Sequence, residues 1–172
     1  MKVEIRKAIP GDEEVLAYIQ TQAWKSAFAD ILSPEELDKY TKIVDVEKMY
    51  QQVLNNNFAN GSILSIGGKA HCIAFWSVCR DRSEEGKSNQ KAGCAELICI
   101  HSLNDNWGKG YGTIMMNHIL AEIKEAGYVE VILWVFVANN RARKFYEKNV
   151  FIASKESKDT FGATEVMYYK FL

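Results

Sequence analysis

The stretch Glu96-Leu97-Ile98-Cys99-Ile100-His101-Ser102-Leu103-Asn104-Asp105-Asn106-Trp107-Gly108-Lys109-Gly110-Tyr111-Gly112 constrains this chain more than any other. Its apolar residues predict a strand over Ala95 to Leu103. The spacing of Ile114, Met115, Ile119 and Ile123 predicts a helix from Tyr111 to Ala126, stopped by Gly127. Between the two elements, glycines alternate as G-x-G-x-G. Glycine takes positive φ at little cost and lets a ligand approach the backbone closely. The first helical turn leaves N–H groups without intrahelical partners and carries a partial positive charge. Such a junction is either a bare tight turn or a phosphate cradle, to which Lys109 could add charge. It is not a P-loop, because no Gly-Lys-Ser/Thr opens the helix. A dinucleotide unit would carry G-x-G-x-x-G near the first strand and an acid closing the next. Here the cluster lies deep in the chain, and the nearest acid, Glu130, opens the next strand.

The flanking sequence supplies partners for this unit. Glu130 to Ala138 is β-branched and aromatic, as in a strand buried on both faces, so the glycine turn sits in a strand–helix–strand crossover. Upstream, Val3 and Ile5 alternate with Glu4 and Arg6 as a half-buried strand. Asp12 is placed to cap a helix carrying Val15, Leu16, Ile19, Ala23, Ala27 and Phe28. Ser33-Pro34-Glu35-Glu36 reads as a capping box, and Val46, Met49, Tyr50, Val53 and Leu54 as a further amphipathic helix. Ser62 to Ile66 and Ala70 to Val78 form a hairpin pattern around Gly67-Gly68, followed by a polar stretch, Arg80 to Gly93, read as a long exposed loop. Asn139 or Asn140 caps a short helix to about Lys148, and Phe151 to Lys155 and Thr164 to Phe171 read as closing strands. The sum is an α+β fold.

At 172 residues, 48% of them apolar, the length fits a single domain spanning residues 1–172 with its own core. The net charge of −1 lacks the basic excess expected of a nucleic-acid partner. The longest apolar run, Val131 to Ala138, is far short of the ~18 residues that cross a bilayer, so no membrane partner is expected. Met1 to Lys7 interleaves acid and base with no secretory pattern, which makes the cytoplasm the expected location. Cys72, Cys79, Cys94 and Cys99 contain no C-x-x-C pair and read as buried reduced thiols. Cys72, Cys79 and His71 do not match a common zinc spacing, and no metal site is expected.

Two segments together carry a family resemblance. The first is Glu96-Leu97-x-x-Ile100 followed by Trp107-x-x-Gly110-x-Gly112; the second, about 27 residues on, is Asn139-Asn140-Arg141-Ala142-Arg143-Lys144-Phe145-Tyr146-Glu147-Lys148. They resemble the acid-led strand, the Q/R-x-x-G-x-G/A turn and the N-x-x-A-x-x-F-Y-E-K element of the GCN5-related N-acetyltransferase (GNAT) superfamily. The resemblance covers residues 94–152. Phe161-Gly162-Ala163 and Tyr168-Tyr169 extend it toward the C-terminus. It implies a mixed, largely antiparallel central sheet of about six to seven strands flanked by helices. It also implies acetyl-CoA as co-substrate, direct acetyl transfer to a primary amine of a small molecule or peptide, and a homodimer as the family-level assembly. Three positions depart from the pattern: Trp107 stands where Gln or Arg is usual, Ser102 where Val is common, and Val150 where Gly is common.

Residue roles follow from the resemblance and from the chemistry. Ile100, His101 and Ser102 would pair their backbone with the pantetheine arm, and the Ile100 amide would face the acetyl oxygen. Trp107, Gly108, Lys109, Gly110, Tyr111, Gly112 and Thr113 would surround the diphosphate, with Asn139 a further contact and also a helix cap. An alkyl amine with a pKa near ~10 must lose a proton before it attacks, and a thiolate leaving group benefits from an acid. Glu96 is the candidate base, or else an ordinary strand-end charge. Simple alternation places Glu96, Ile98, Ile100 and Ser102 on one face and His101 on the other. Tyr146 is the candidate acid, or else a core aromatic set with Ala142 and Phe145. The early helices, Trp24 to Tyr40, and the polar stretch Arg80 to Gly93 would frame the acceptor. The alternative function is a non-catalytic acyl-CoA-binding or regulatory module on the same fold, which the Trp107 departure keeps open.

Overall fold

The computed structural model describes residues 2–81 and 89–172. The strands are β1 (Val3–Lys7), β2 (Asn60–Ile66), β3 (Lys69–Asp81), β4 (Asn89–Ser102), β5 (Glu130–Phe136), β6 (Ile152–Thr160) and β7 (Ala163–Phe171). The helices are α1 (Glu13–Ala27), α2 (Pro34–Tyr40), α3 (Ile43–Asn55), α4 (Tyr111–Glu125) and α5 (Asn140–Lys148). One seven-stranded sheet runs in the order β1-β2-β3-β4-β5-β7-β6. Every neighbouring pair is antiparallel except β4 with β5, the two strands joined by the α4 crossover.

Period-2 alternation divides the apolar residues between two layers. Leu64, Ala74, Trp76, Leu97, Val131 and Leu133 pack against Met115, Met116, Ile119 and Ile123 of α4 and against Tyr146 of α5. Ile63, Ile73 and Phe75 pack on the opposite face against Leu16 and Ile19 of α1 and Val46, Tyr50 and Leu54 of α3. The Tyr50 hydroxyl ties these two helices by donating to Gln20 Oε1 at 2.6 Å.

Of the three helix starts with an expected capping side chain, two are capped by it. Ser33 Oγ accepts from the Glu36 amide at 3.1 Å, with proline at the head of α2. Asn139 Oδ1 accepts from the Ala142 amide at 3.1 Å to start α5. Asp12 occupies the cap position of α1, but its carboxylate is taken by the Arg6 guanidinium, at 2.7 Å on both oxygens, and by the Ile9 amide.

Three sequence expectations are corrected. The exposed loop expected over residues 80–93 is strand at both its ends, since β3 continues through Asp81 and β4 begins at Asn89. Residues 82–88 lie outside the described residues. The strand expected at Phe151 to Lys155 extends to Thr160. The third correction concerns β4. Its register with β3 passes from Trp76↔Leu97 to Phe75↔Cys99, which leaves Ile98 as an unopposed bulge residue. A bulge inserts one residue and reverses the alternation beyond it. Leu97 and Ile100 therefore both belong to the α4 layer, while Cys99 packs toward α1 and α3. Glu96 and His101, expected on opposite faces, share the α1 face. Simple counting along the strand fails because it has no knowledge of the bulge.

The same place marks a second break. β4 pairs with β5 only over Cys94–Glu96, although β5 keeps β7 as partner along its full length. Beyond Glu96 the two parallel strands part, and the sheet is open between them. No helix among the described residues is long and apolar enough to cross a membrane.

Candidate active site

The gap between β4 and β5 opens into a cavity of about 1000 Å³ that reaches from the α1 face to the N-terminus of α4. Its α4 end is a backbone surface. Gly108 and Gly110 hold φ of 78° and 89°, and a Cβ at either would meet nothing within 4 Å. These positions need glycine for conformation, and they leave the helix start open. Gly110 is the N-cap of α4, and no side chain caps that turn. A 15-residue helix thus presents its positive end and its free first-turn amides to the cavity. Gly112 has a different role: a Cβ there would stand 3.3 Å from Phe145 Cε2, so its bareness lets α4 approach α5.

Two side chains complete this end. The Trp107 indole N–H donates to the Ser102 carbonyl at 3.0 Å, fastening the turn to the end of β4. The guanidinium of Arg141, near the start of α5, stacks on the Trp107 ring with Cζ 3.2 Å from its centroid. Both residues line the cavity. Burial lowers the Arg141 pKa, yet a guanidinium remains a cation at any working pH. Lys109 does not line the cavity; its ammonium donates to Asn106 Oδ1 at 2.8 Å and the Asp105 carbonyl at 3.3 Å, within the 3-10 turn over Asn104–Asn106.

Tyr146 lines the middle of the cavity. Its ring is held by Phe145, Phe151 and Tyr168. Burial raises its pKa well above the usual phenol value, so the hydroxyl stays protonated. Among the described residues no group forms a hydrogen bond with that hydroxyl. It is a donor with capacity to spare. Ile98, Ile100, His101 and Ser102 also line the cavity, as do Tyr111, Gly112, Thr113 and Asn139; Glu96 does not.

His101 faces α1, where Trp24 Nε1 donates to its Nε2 at 3.3 Å. A ring nitrogen that accepts carries no proton, so the neutral imidazole holds its proton on Nδ1. Burial pushes its pKa down to about 4, which keeps it neutral near pH 7. The nitrogen that could take up a proton is thus already engaged. Around Trp24 gather Phe28, Tyr40, Phe136 and Phe161, aromatic residues from α1, α2, β5 and the β6–β7 turn that form the far wall of the cavity. The cysteines lie buried or half-buried, and burial pushes the Cys99 thiol up to about 12. Burial raises the Cys72 thiol as well, so neither of these two is a nucleophile at neutral pH.

The structure adds residues that the sequence did not single out for the site. Arg141 falls inside the N-x-x-A element, but only the fold carries it across to Trp107. Phe136 and Phe161 are far apart in sequence and meet Trp24, Phe28 and Tyr40 of the expected acceptor segment because β5 and the last hairpin converge on α1 and α2. The i, i+4 pair Trp24 and Phe28 was the only local signal.

An open strand edge ending in a glycine-cradled helix start suits a long ligand that carries phosphate, and known proteins narrow the choice. The model of the acetyltransferase (GNAT) family matches residues 24–151. A curated spermidine N(1)-acetyltransferase of Thermoplasma acidophilum is 28% identical over 176 residues, covering 99% of both chains. The crystal structure of PaiA N-acetyltransferase from T. acidophilum in complex with coenzyme A superposes with a TM-score of 0.78 at 20% identity, over all of both chains. A ribosomal-protein-alanine N-acetyltransferase from Brucella melitensis gives 0.74 at 18% identity, covering 98% of this chain and 99% of that one. The chain belongs to the GNAT family. Its reaction class is N-acetyl transfer, with acetyl-CoA as co-substrate. The open helix start, the bare φ-positive glycines and the unpaired β4 edge fit that co-substrate.

Proposed function

We propose that this chain moves the acetyl group of acetyl-CoA directly to a primary amine of a small molecule or peptide, with Tyr146 as the acid and Glu96 as the base. In this reading the amides of residues 108–113 and the Arg141 guanidinium hold the diphosphate. The β4 edge at Ile100 to Ser102 pairs with the pantetheine arm, and the Ile100 amide donates to the acetyl oxygen. Asn139 borders the arm while capping α5. Glu96, on the same face as His101 and next to the slot, takes the ammonium proton through water. The amine nitrogen then bonds the carbonyl carbon, the carbon–sulfur bond breaks, and the departing sulfur takes the Tyr146 proton; the surplus proton on the new amide nitrogen returns the phenolate to phenol, and Glu96 gives its proton to water. No covalent enzyme intermediate is needed, since no thiol is poised to attack.

The observation that carries this reading is the Tyr146 hydroxyl: a protonated donor, in the slot, without a partner among the described residues. The spermidine acetyltransferase relative supports an amine as acceptor. Acetyl-CoA in excess over its Kd should raise the melting temperature, and Glu96→Gln or Tyr146→Phe should lower turnover while sparing that shift. Stabilisation by coenzyme A with no acetylation across amino acids, polyamines, aminoglycosides and peptides would instead favour the binding-module reading.

A further inference from the structure

The aromatic wall at the α1 end of the cavity bears on which amine is used. Trp24, Phe28, Tyr40, Phe136 and Phe161 form a connected set, with ring centroids 5.1 Å apart for Trp24–Phe28, 5.6 Å for Trp24–Phe161, 4.3 Å for Tyr40–Phe161 and 5.1 Å for Phe28–Phe136. Phe161 reaches this wall at a conformational cost. Thr160 pairs with Ala163, so Phe161-Gly162 is a two-residue hairpin turn, with φ of 54° and 79°. Turns of this kind favour Asn, Asp or Gly at the first position, and a bulky side chain at positive φ is strained. Strain held where a ring lines a cavity points to a use for that ring.

The charges at this end point the same way. Among the described residues, the charged side chains lining it are Lys39, Asp45 and Glu165. Glu165 already accepts from Thr160 Oγ1 at 2.8 Å and lies 3.5 Å from Lys158 Nζ. Lys39 lies 3.9 Å from Glu36, with its ammonium over the Tyr40 ring, so one carboxylate, Asp45, is left. A triply charged polyamine would find a single carboxylate for its three charges there, whereas a flat apolar body carrying one charge would find aromatic faces and edges to pack on.

We infer that the acceptor is an arylalkyl monoamine, its ring packed on the Trp24–Tyr40–Phe161 wall and its short arm carrying the amine into the slot beside Tyr146. This rests on the acetyl-transfer reading above.

The test measures thiol release by the full chain with acetyl-CoA and phenethylamine, tryptamine or spermidine, for wild type, Phe161→Asn and Phe161→Tyr. The arylalkylamines are expected to exceed spermidine in kcat/KM by about tenfold or more. Phe161→Asn suits the turn, so it should leave the melting temperature unchanged or higher. It should raise the phenethylamine KM about tenfold, with the acetyl-CoA KM unmoved, and Phe161→Tyr should restore the wild-type value. Spermidine used as well as or better than the arylalkylamines, or a phenethylamine KM unaffected by Phe161→Asn, would overturn the inference and leave acetyl transfer standing. A chain that binds coenzyme A but acetylates none of the three, nor any other amine, would overturn both.

Discussion

The Arg141 guanidinium lies over the Trp107 indole, Cζ 3.2 Å from the ring centroid, while the same indole donates to the Ser102 carbonyl at 3.0 Å. One side chain thus links the end of β4, the glycine turn and the start of α5. In the resemblance that identifies the family, the position of Trp107 carries Gln or Arg. Here the tryptophan gives up that polar contact and positions a cation from another element at the same end of the cavity. Arg141→Gln is expected to raise the KM for acetyl-CoA about tenfold or more, the loss of one charge-assisted contact worth about 1.5–3 kcal/mol. S-acetylpantetheine, which has no diphosphate, should be used equally by both enzymes. Parallel donor titrations check this.

Gly110 and Gly112 are expected to respond differently to alanine. Gly110 has open space but a φ of 89°, so Gly110→Ala strains the turn itself and should cost about 1–2 kcal/mol of stability. It should also weaken acetyl-CoA binding, because the amides at the helix start shift. Gly112→Ala meets a ring edge of Phe145 at 3.3 Å, so the neighbour must give by a few tenths of an ångström. Its expected cost is to α4–α5 packing, with a smaller effect on binding. Denaturant melts and calorimetric titration of coenzyme A separate the two.

His101 is expected to tie stability to pH. Its folded pKa is about 4, pushed down by burial from an ordinary value near 6.5. Between those values the unfolded chain binds a proton that the folded chain does not, so acid favours unfolding. The contribution is complete above about pH 6.5, fades as pH falls, and is gone below about pH 4, amounting to about 3 kcal/mol at most. His101→Gln keeps an acceptor for Trp24 and removes the titration. The difference in unfolding free energy between the two proteins should therefore change with pH over this window and be flat above it.

Much of this was legible from the sequence, for identifiable reasons. Gly67-Gly68, Ser33-Pro34, Asn139 and Gly127 encode their turns and caps locally, and each element start or stop they imply is present. The strand-to-helix turn at Gly108 to Gly112 was equally local. What escaped was information held between strands. The bulge at Ile98 exists only in the register of β4 against β3, and it turned His101 toward the face of Glu96. The parting of β4 and β5 after Glu96, which creates the slot, is likewise a property of two strands. Lys109, an obvious charge for a phosphate, is tied to Asn106, whereas Arg141, more than thirty positions away, lines the cavity.

The proposed reaction depends on the Tyr146 hydroxyl, which lines the slot, giving its proton to the departing sulfur. The most direct measurement is the rate of thiol release by Tyr146→Phe at saturating amine, taken together with its Kd for acetyl-CoA. The hydroxyl has no partner among the described residues, so its loss should leave the fold and the Kd nearly unchanged while kcat falls about 10²-fold. A Tyr146→Phe enzyme that turns over as fast as wild type would contradict the account.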